Sequence, residues 1–128
     1  MKILKYLLIT LAFTFYSCEE MVTLDLDTAK PRLVVDAAIN WEMGTLGNNQ
    51  QIKLTTTTGF YAPNVPIVSG ATVFITNLNT NAVFIFSELN NDGIYYCNDF
   101  VPTIGHEYEL TIETNNEIYK AKETLTKG

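Results

Sequence analysis

Few side chains in this sequence have the types that carry chemistry. There is one histidine (His106), one tryptophan (Trp41) and two cysteines (Cys18 and Cys97). A zinc site needs three or four His, Cys or carboxylate ligands at coordinating spacing, and this set does not supply them. A Ser-His-Asp triad would have to use His106. The alternation along residues 105–113 puts Glu107 and Glu109 on the face opposite His106, so its own strand offers no carboxylate to orient the ring. His106 is therefore expected as a hydrogen-bonding residue at a strand edge. Asp36, Asp92 and Asp99, with carbonyls from Asn90 and Asn91, are the oxygen ligands that could meet at one end of a β fold and hold calcium. Their spacing fits no EF-hand loop, and solvated loop acids are the favoured reading. The expectation is a chain with no catalytic residue, no metal and no cofactor.

Cys18 is the exception, because of what precedes it. Lys2 and Lys5 form a positive start, and residues 6–16 are uncharged and mostly apolar. Such a run matches the apolar region of a signal peptide and is shorter than the ~20 residues a spanning helix needs. It ends in Phe15-Tyr16-Ser17-Cys18, which resembles a bacterial lipobox, with Phe15 where Leu is usual and Tyr16 where a small residue is usual. The resemblance implies a lipoprotein signal peptide over residues 1–17 and acylation of Cys18, palmitate included. Two or more chains on one residue give stable anchoring where one is marginal. Glu19 and Glu20 resemble the export signal that sends Bacteroidetes lipoproteins to the outer leaflet of the outer membrane, hence to the cell surface. A plain acidic start to a tether remains the alternative. Residues 18–31 read as that tether, and within it Leu24 and Leu26 alternate with Asp25 and Asp27, a pattern that fits a short edge strand. Asp27-Thr28-Ala29 resembles the Bacteroidetes O-glycosylation sequon, with Thr28 as acceptor.

Charge narrows the partners. The chain has 14 acidic and 8 basic residues, net −6. Without Lys2 and Lys5 the count is 14 against 6, net −8. Nucleic-acid phosphates need clustered positive charge, which is absent. Attachment to a membrane would rest on the lipid and not on a basic patch.

The elements that position these residues follow from period-two alternation. Strands are expected over residues 32–41, 52–58, 71–78, 83–88, 94–97, 105–113 and 118–124, separated by Gly, Asn and Pro turn signals. In the first, Leu33, Val35, Ala37, Ile39 and Trp41 share a face, and Trp41 is expected in the core. Tyr108, Leu110 and Ile112 are expected inward, with Glu107, Glu109 and Thr111 in water. Tyr108, placed soon after Gly105, has the position of a tyrosine-corner anchor. Cys97 is expected buried as a small hydrophobe. Residues 59–69 contain Pro63 and Pro66 and are expected as a loop. Phe60, Tyr61 and Pro63 make that loop aromatic and uncharged, which suits an interaction surface; a plug over the core end is the alternative. About seven strands and no helical period after residue 20 predict an all-β fold, an antiparallel Ig-like β-sandwich over residues 32–128.

Several segments in order resemble one family. They are Pro31-Arg32-Leu33-Val34-Val35, Ser69-Gly70-Ala71-Thr72-Val73, Gly93-Ile94-Tyr95 and Gly105-His106-Glu107-Tyr108-Glu109-Leu110. Behind an acidic segment, this order resembles the N-terminal part of the Bacteroidetes lipoproteins grouped as domain of unknown function 4249. The resemblance implies an Ig-like fold and an outer-membrane address, and no catalytic residues. It further implies a partner lipoprotein of a TonB-dependent outer-membrane transporter. Members are usually longer, so an N-terminal fragment of a longer lipoprotein is one alternative; a calcium-dependent carbohydrate- or protein-binding module is the other. The expected function is a surface-anchored, non-enzymatic binding or accessory lipoprotein.

Overall fold

The computed structural model describes residues 1–12 and 29–127. Cys18 and Thr28 lie outside the described residues. Helix α1 (Lys2–Ala12) falls on the positive start and the first part of the apolar run. No helix among the described residues is long and apolar enough to cross a membrane.

From residue 33 onward the chain is seven antiparallel strands. They are β1 (Leu33–Ala37), β2 (Gln50–Thr56), β3 (Thr72–Asn77), β4 (Val83–Glu88), β5 (Ile94–Cys97), β6 (Glu107–Thr114) and β7 (Glu117–Thr124). Hydrogen bonding joins them in one sheet of order β1-β2-β5-β4-β3-β6-β7. The sheet curls into a half-barrel. The two separate stacked sheets expected from the sequence are joined because β4 changes partner along its length. Val83 to Phe86 pair with β3, whereas Ser87 and Glu88 pair with β5. One strand thus carries the ladder around the bend.

The core lies on the concave side. Leu54 and Phe100 are completely buried, and Ile52, Val73, Phe86, Tyr95 and Ile112 nearly so. Phe100 packs edge-on against Phe84 at 4.9 Å and tilted against Tyr108 at 5.4 Å between ring centroids. Such pairs add about 0.5–1.5 kcal/mol beyond the area they bury. The β6–β7 turn is Asn115-Asn116, with φ of 51° and 62°. Two successive positive φ values give the turn whose twist matches that of the strands it joins.

Two expectations need correction. The first strand ends at Ala37, not at Trp41. Past Ala37 the chain loops out, and the buried Gln50 side chain replaces ladder bonds: its Oε1 accepts from Asn40 N, and its Nε2 donates to Asn40 O and Gly47 O. Trp41 is consequently 44% exposed instead of lying in the core. It lies against Gly47, where a Cβ would meet its ring at 2.9 Å and Pro102 at 2.8 Å. The other correction is on β6. Tyr108 and Ile112 are buried as expected, but Thr111 is buried too and Leu110 is half-buried. Thr111 lies between Phe74 on β3 and Lys120 on β7, which cover it from the outer side. Leu110 faces an opening that only the curl of the sheet creates.

Candidate functional site

That opening is a groove of about 550 Å³ between the two ends of the sheet. Ile52, Ile75, Phe86, Tyr108 and Leu110 form its floor; Val35 and Ala37 of β1 face Ala121 and Glu123 of β7 across it. The volume lies within the roughly 300–1,000 Å³ typical of ligand clefts. Among the described residues both walls are the outermost strands of the sheet, so each presents backbone groups without a ladder partner there. The register shows which ones. Thr57 N donates to Arg32 O, so Arg32/Thr57 is a hydrogen-bonded pair. Antiparallel alternation then turns Val34 and Asp36 toward β2 and leaves the N–H and C=O of Leu33, Val35 and Ala37 on the free edge. On the other side Leu125 N donates to His106 O. The same alternation leaves Lys120, Lys122 and Thr124 with free-edge backbone groups.

The remaining chemical candidates are each tied into the fold. Asn77 accepts from Asn79 N at 2.9 Å and Thr80 N at 3.3 Å through Oδ1. Its Nδ2 therefore donates to His106 Nδ1, 2.9 Å away. This fixes His106 as the tautomer with its proton on Nε2. The ring is held by an amide and not by a carboxylate, unlike a general base in a triad. Cys97 is buried and unpaired. Its thiol donates to Asp99 Oδ1 at 2.9 Å; burial, and then Asp99, push its pKa up to about 11. A thiol so protonated is a poor nucleophile. Tyr95 Oη donates to Val68 O and accepts from Ala71 N, and burial raises its pKa.

The three candidate calcium ligands do not converge. Asp36 lies on the outer face of β1 opposite Lys53. Asp92 accepts from Ile94 N in the β4–β5 turn, and Asp99 holds the Cys97 thiol. Among the described residues no group of three or more His, Cys, Asp or Glu is placed to hold a metal ion. Sequence reasoning did not single out Glu88. Its Oε2 accepts from Ser69 Oγ at 2.8 Å and Gly70 N at 2.9 Å, and its Oε1 from Gly93 N at 2.7 Å. Burial pushes its pKa up, but these donors outweigh that and hold it below the ordinary glutamate value.

The aromatic loop stands away from the core. Phe60 is 89% exposed and Tyr61 82%; they meet edge to face with centroids 5.2 Å apart. Pro63 is exposed beside them. The base of the loop is held by Thr56 N donating to Pro66 O at 3.0 Å and by an antiparallel bridge between Thr55 and Ile67. Ala62 N donates to Gly59 O across the tip. Arg32 N donates to Thr57 Oγ1 at 2.9 Å, so β1 begins at this same end of the half-barrel.

A family model described as a domain of unknown function (DUF4249) matches residues 19–127. The chain belongs to this family. The matched range of the DUF4249 domain contains all seven strands, both walls of the groove and the aromatic loop. No curated protein and no solved structure gives a significant match. The groove of this DUF4249 domain is the feature that sequence reasoning missed. Its signal was present in β7, whose eight residues are all exposed, and whose sequence of charges on both faces suits an edge with nothing beyond it.

Proposed function

We propose that this DUF4249 domain is a lipid-anchored, non-enzymatic binding or accessory module on the outer-membrane surface, which docks a membrane protein, a TonB-dependent transporter by family resemblance, through the Phe60–Tyr61–Pro63 loop. The observation that carries the reading is the pair of exposed, mutually packed rings on a loop whose base is pinned to β2. Aromatic side chains on a restrained backbone bury large area at low entropic cost, which is how interface anchors work. Attachment through Cys18 after removal of residues 1–17 is supported by the lysines and apolar run that precede it and by the helical start, Lys2–Ala12.

An Ig-type architecture is part of the proposal. Its support is the strand order. Lettered A to G along the chain, the sheet reads A-B-E-D then C-F-G, the grouping of a constant-type Ig domain. The difference is the β3–β4 pairing that joins the two groups.

Phe60→Ala with Tyr61→Ala tests the docking. The double variant is expected to keep its melting temperature and lose co-purification of its partner from detergent-solubilised outer membranes. A melting temperature far below wild type would place the rings in the folding core and end the assignment. The lipid anchor is tested separately by intact mass: a mature chain without acyl groups on Cys18 refutes it.

A further inference from the structure

Both ends of the half-barrel carry exposed apolar side chains. The aromatic loop lies at the end where β1 begins, since Leu33 pairs with Thr56 at the close of β2. At the opposite end β1 passes into β2 through residues 38–49, and β5 into β6 through residues 98–106. There Met43 and Leu46 are almost wholly exposed, Val101 and Ile104 more than half, and Trp41 44%. These side chains are held in place. Thr45 N and Oγ1 donate to Glu42 O at 3.1 and 2.8 Å, closing a turn, and Trp41 Nε1 donates to Thr45 O at 3.0 Å. Gly47 fits against the Trp41 ring and Pro102 with no room for a Cβ. Asn48 Nδ2 donates to Asn98 O at 2.8 Å, and Tyr108 Oη to Val101 O at 3.2 Å. Two connections distant in sequence are thus fastened into one surface. Apolar tips already held in place lose little freedom on binding, and Trp and Met with few charges make the centre of an interface.

Charge says what fits this surface. The connections at this end, residues 38–49, 78–82 and 98–106, contain Glu42 and Asp99 and no Lys or Arg, and Glu107 opens β6 beside them. Asp99 accepts from an uncharged group, the Cys97 thiol. Glu42 and Glu107 have no ion-pair partner among the described residues. The rim around the apolar centre is therefore anionic. A second copy would bring the same carboxylates against these, and like charges brought together cost affinity. Residues 13–28 hold Glu19, Glu20, Asp25 and Asp27 with no Lys or Arg, and are disfavoured as a cover for the same reason. An anionic lipid surface is repelled likewise. The complement is an apolar segment flanked by positive charge.

We propose that this end of the half-barrel is a second docking surface, taking an apolar segment of a partner protein flanked by lysine or arginine, with Trp41, Met43 and Leu46 as its centre and Glu42 and Glu107 on its rim. The inference rests on reading the domain as a binding module. It depends neither on the aromatic loop, which lies at the other end, nor on the groove.

Trp41 is the only tryptophan in the chain, so its fluorescence reads this surface directly. The full chain in nonionic detergent is titrated with a short, end-capped peptide of leucines flanked by lysines, and with the same peptide carrying glutamate for lysine. Neither contains tryptophan, so peptide taken up by detergent is silent. The lysine peptide is expected to shift Trp41 emission to the blue and to shield the ring from acrylamide. It should bind about tenfold or more tighter than the glutamate peptide, a gap that narrows as salt rises. Met43→Ser with Leu46→Ser should weaken it about tenfold or more; both side chains are exposed, so the fold is kept. Glu42→Lys should narrow the preference between the two peptides. Equal binding of the two peptides at low salt would overturn the proposal. So would unchanged binding in the Met43→Ser, Leu46→Ser variant, or no response of Trp41 to either peptide. A ring already shielded from acrylamide in the free chain would overturn it too, since another part of the chain or a second copy would then cover the surface. The Phe60→Ala, Tyr61→Ala variant is expected to bind the lysine peptide as wild type does; loss of binding there would assign the contact to the loop instead. Co-purification through the loop is read separately, so either surface can fail alone.

Discussion

The Tyr108 hydroxyl donates to Val101 O at 3.2 Å, seven residues upstream, and accepts from Thr103 N at 2.9 Å. One phenol thereby ties the β5–β6 connection to the start of β6, while its ring packs on Phe100 at 5.4 Å. This is the tyrosine-corner geometry that its position after Gly105 predicts.

Tyr108→Phe keeps the ring and deletes both bonds. With a backbone N–H and a C=O left unpaired in a part-buried setting, the expected loss is about 1–3 kcal/mol, the cost of stranding such groups. Urea unfolding followed by tryptophan fluorescence measures it. A loss under about 0.5 kcal/mol would mean that water replaces the hydroxyl and the corner is ornamental.

Neighbouring inward positions on β6 should differ sharply. Ile112 is 1% exposed, so Ile112→Ala is expected to cost about 2–5 kcal/mol. Leu110 is half-buried against the groove, and Leu110→Ala should cost less, about 1–2 kcal/mol, since part of its surface is already wet. Equal costs in the same denaturation assay would show that the groove is filled in solution.

Glu88 gives a pH signature. Burial works against its carboxylate, and bonds from Gly70, Gly93 and Ser69 overcome it, leaving a pKa below the ordinary value. A depressed carboxylate stabilises the fold above its unfolded pKa, and that contribution fades as pH falls through the folded value. Glu88→Gln should therefore melt below wild type at neutral pH, with the difference shrinking toward acid. Melting curves from pH 7 down to about 2 span the window. A difference that stays constant across it would rule out the charge as the cause.

Much of the architecture was legible in the chain. Period-two alternation located all seven strands, since a strand with one face buried must alternate. The Asn115-Asn116 turn followed from the tolerance of asparagine for positive φ. The burial of Cys97 and the anchoring of Tyr108 also followed from local pattern. What alternation cannot report is how far a strand runs before another group takes over its hydrogen bonds. Trp41 keeps the parity of Leu33 and Val35, yet it lies outside the ladder because Gln50, distant along the chain, captures Asn40.

The sequence by itself determined the β content of the described residues, their seven strands, the turns and the family, because each is written in residues close together in the chain. Only the tertiary structure decided that the strands form one curled sheet, since that depends on β4 pairing with β3 at one end and β5 at the other. The same curl leaves β1 and β7 as the facing outer strands among the described residues. The groove between them is a property of strands whose nearest ends, Ala37 and Glu117, lie eighty residues apart in sequence. No periodicity within either strand encodes that distance; long-range pairing of the strands between them sets it.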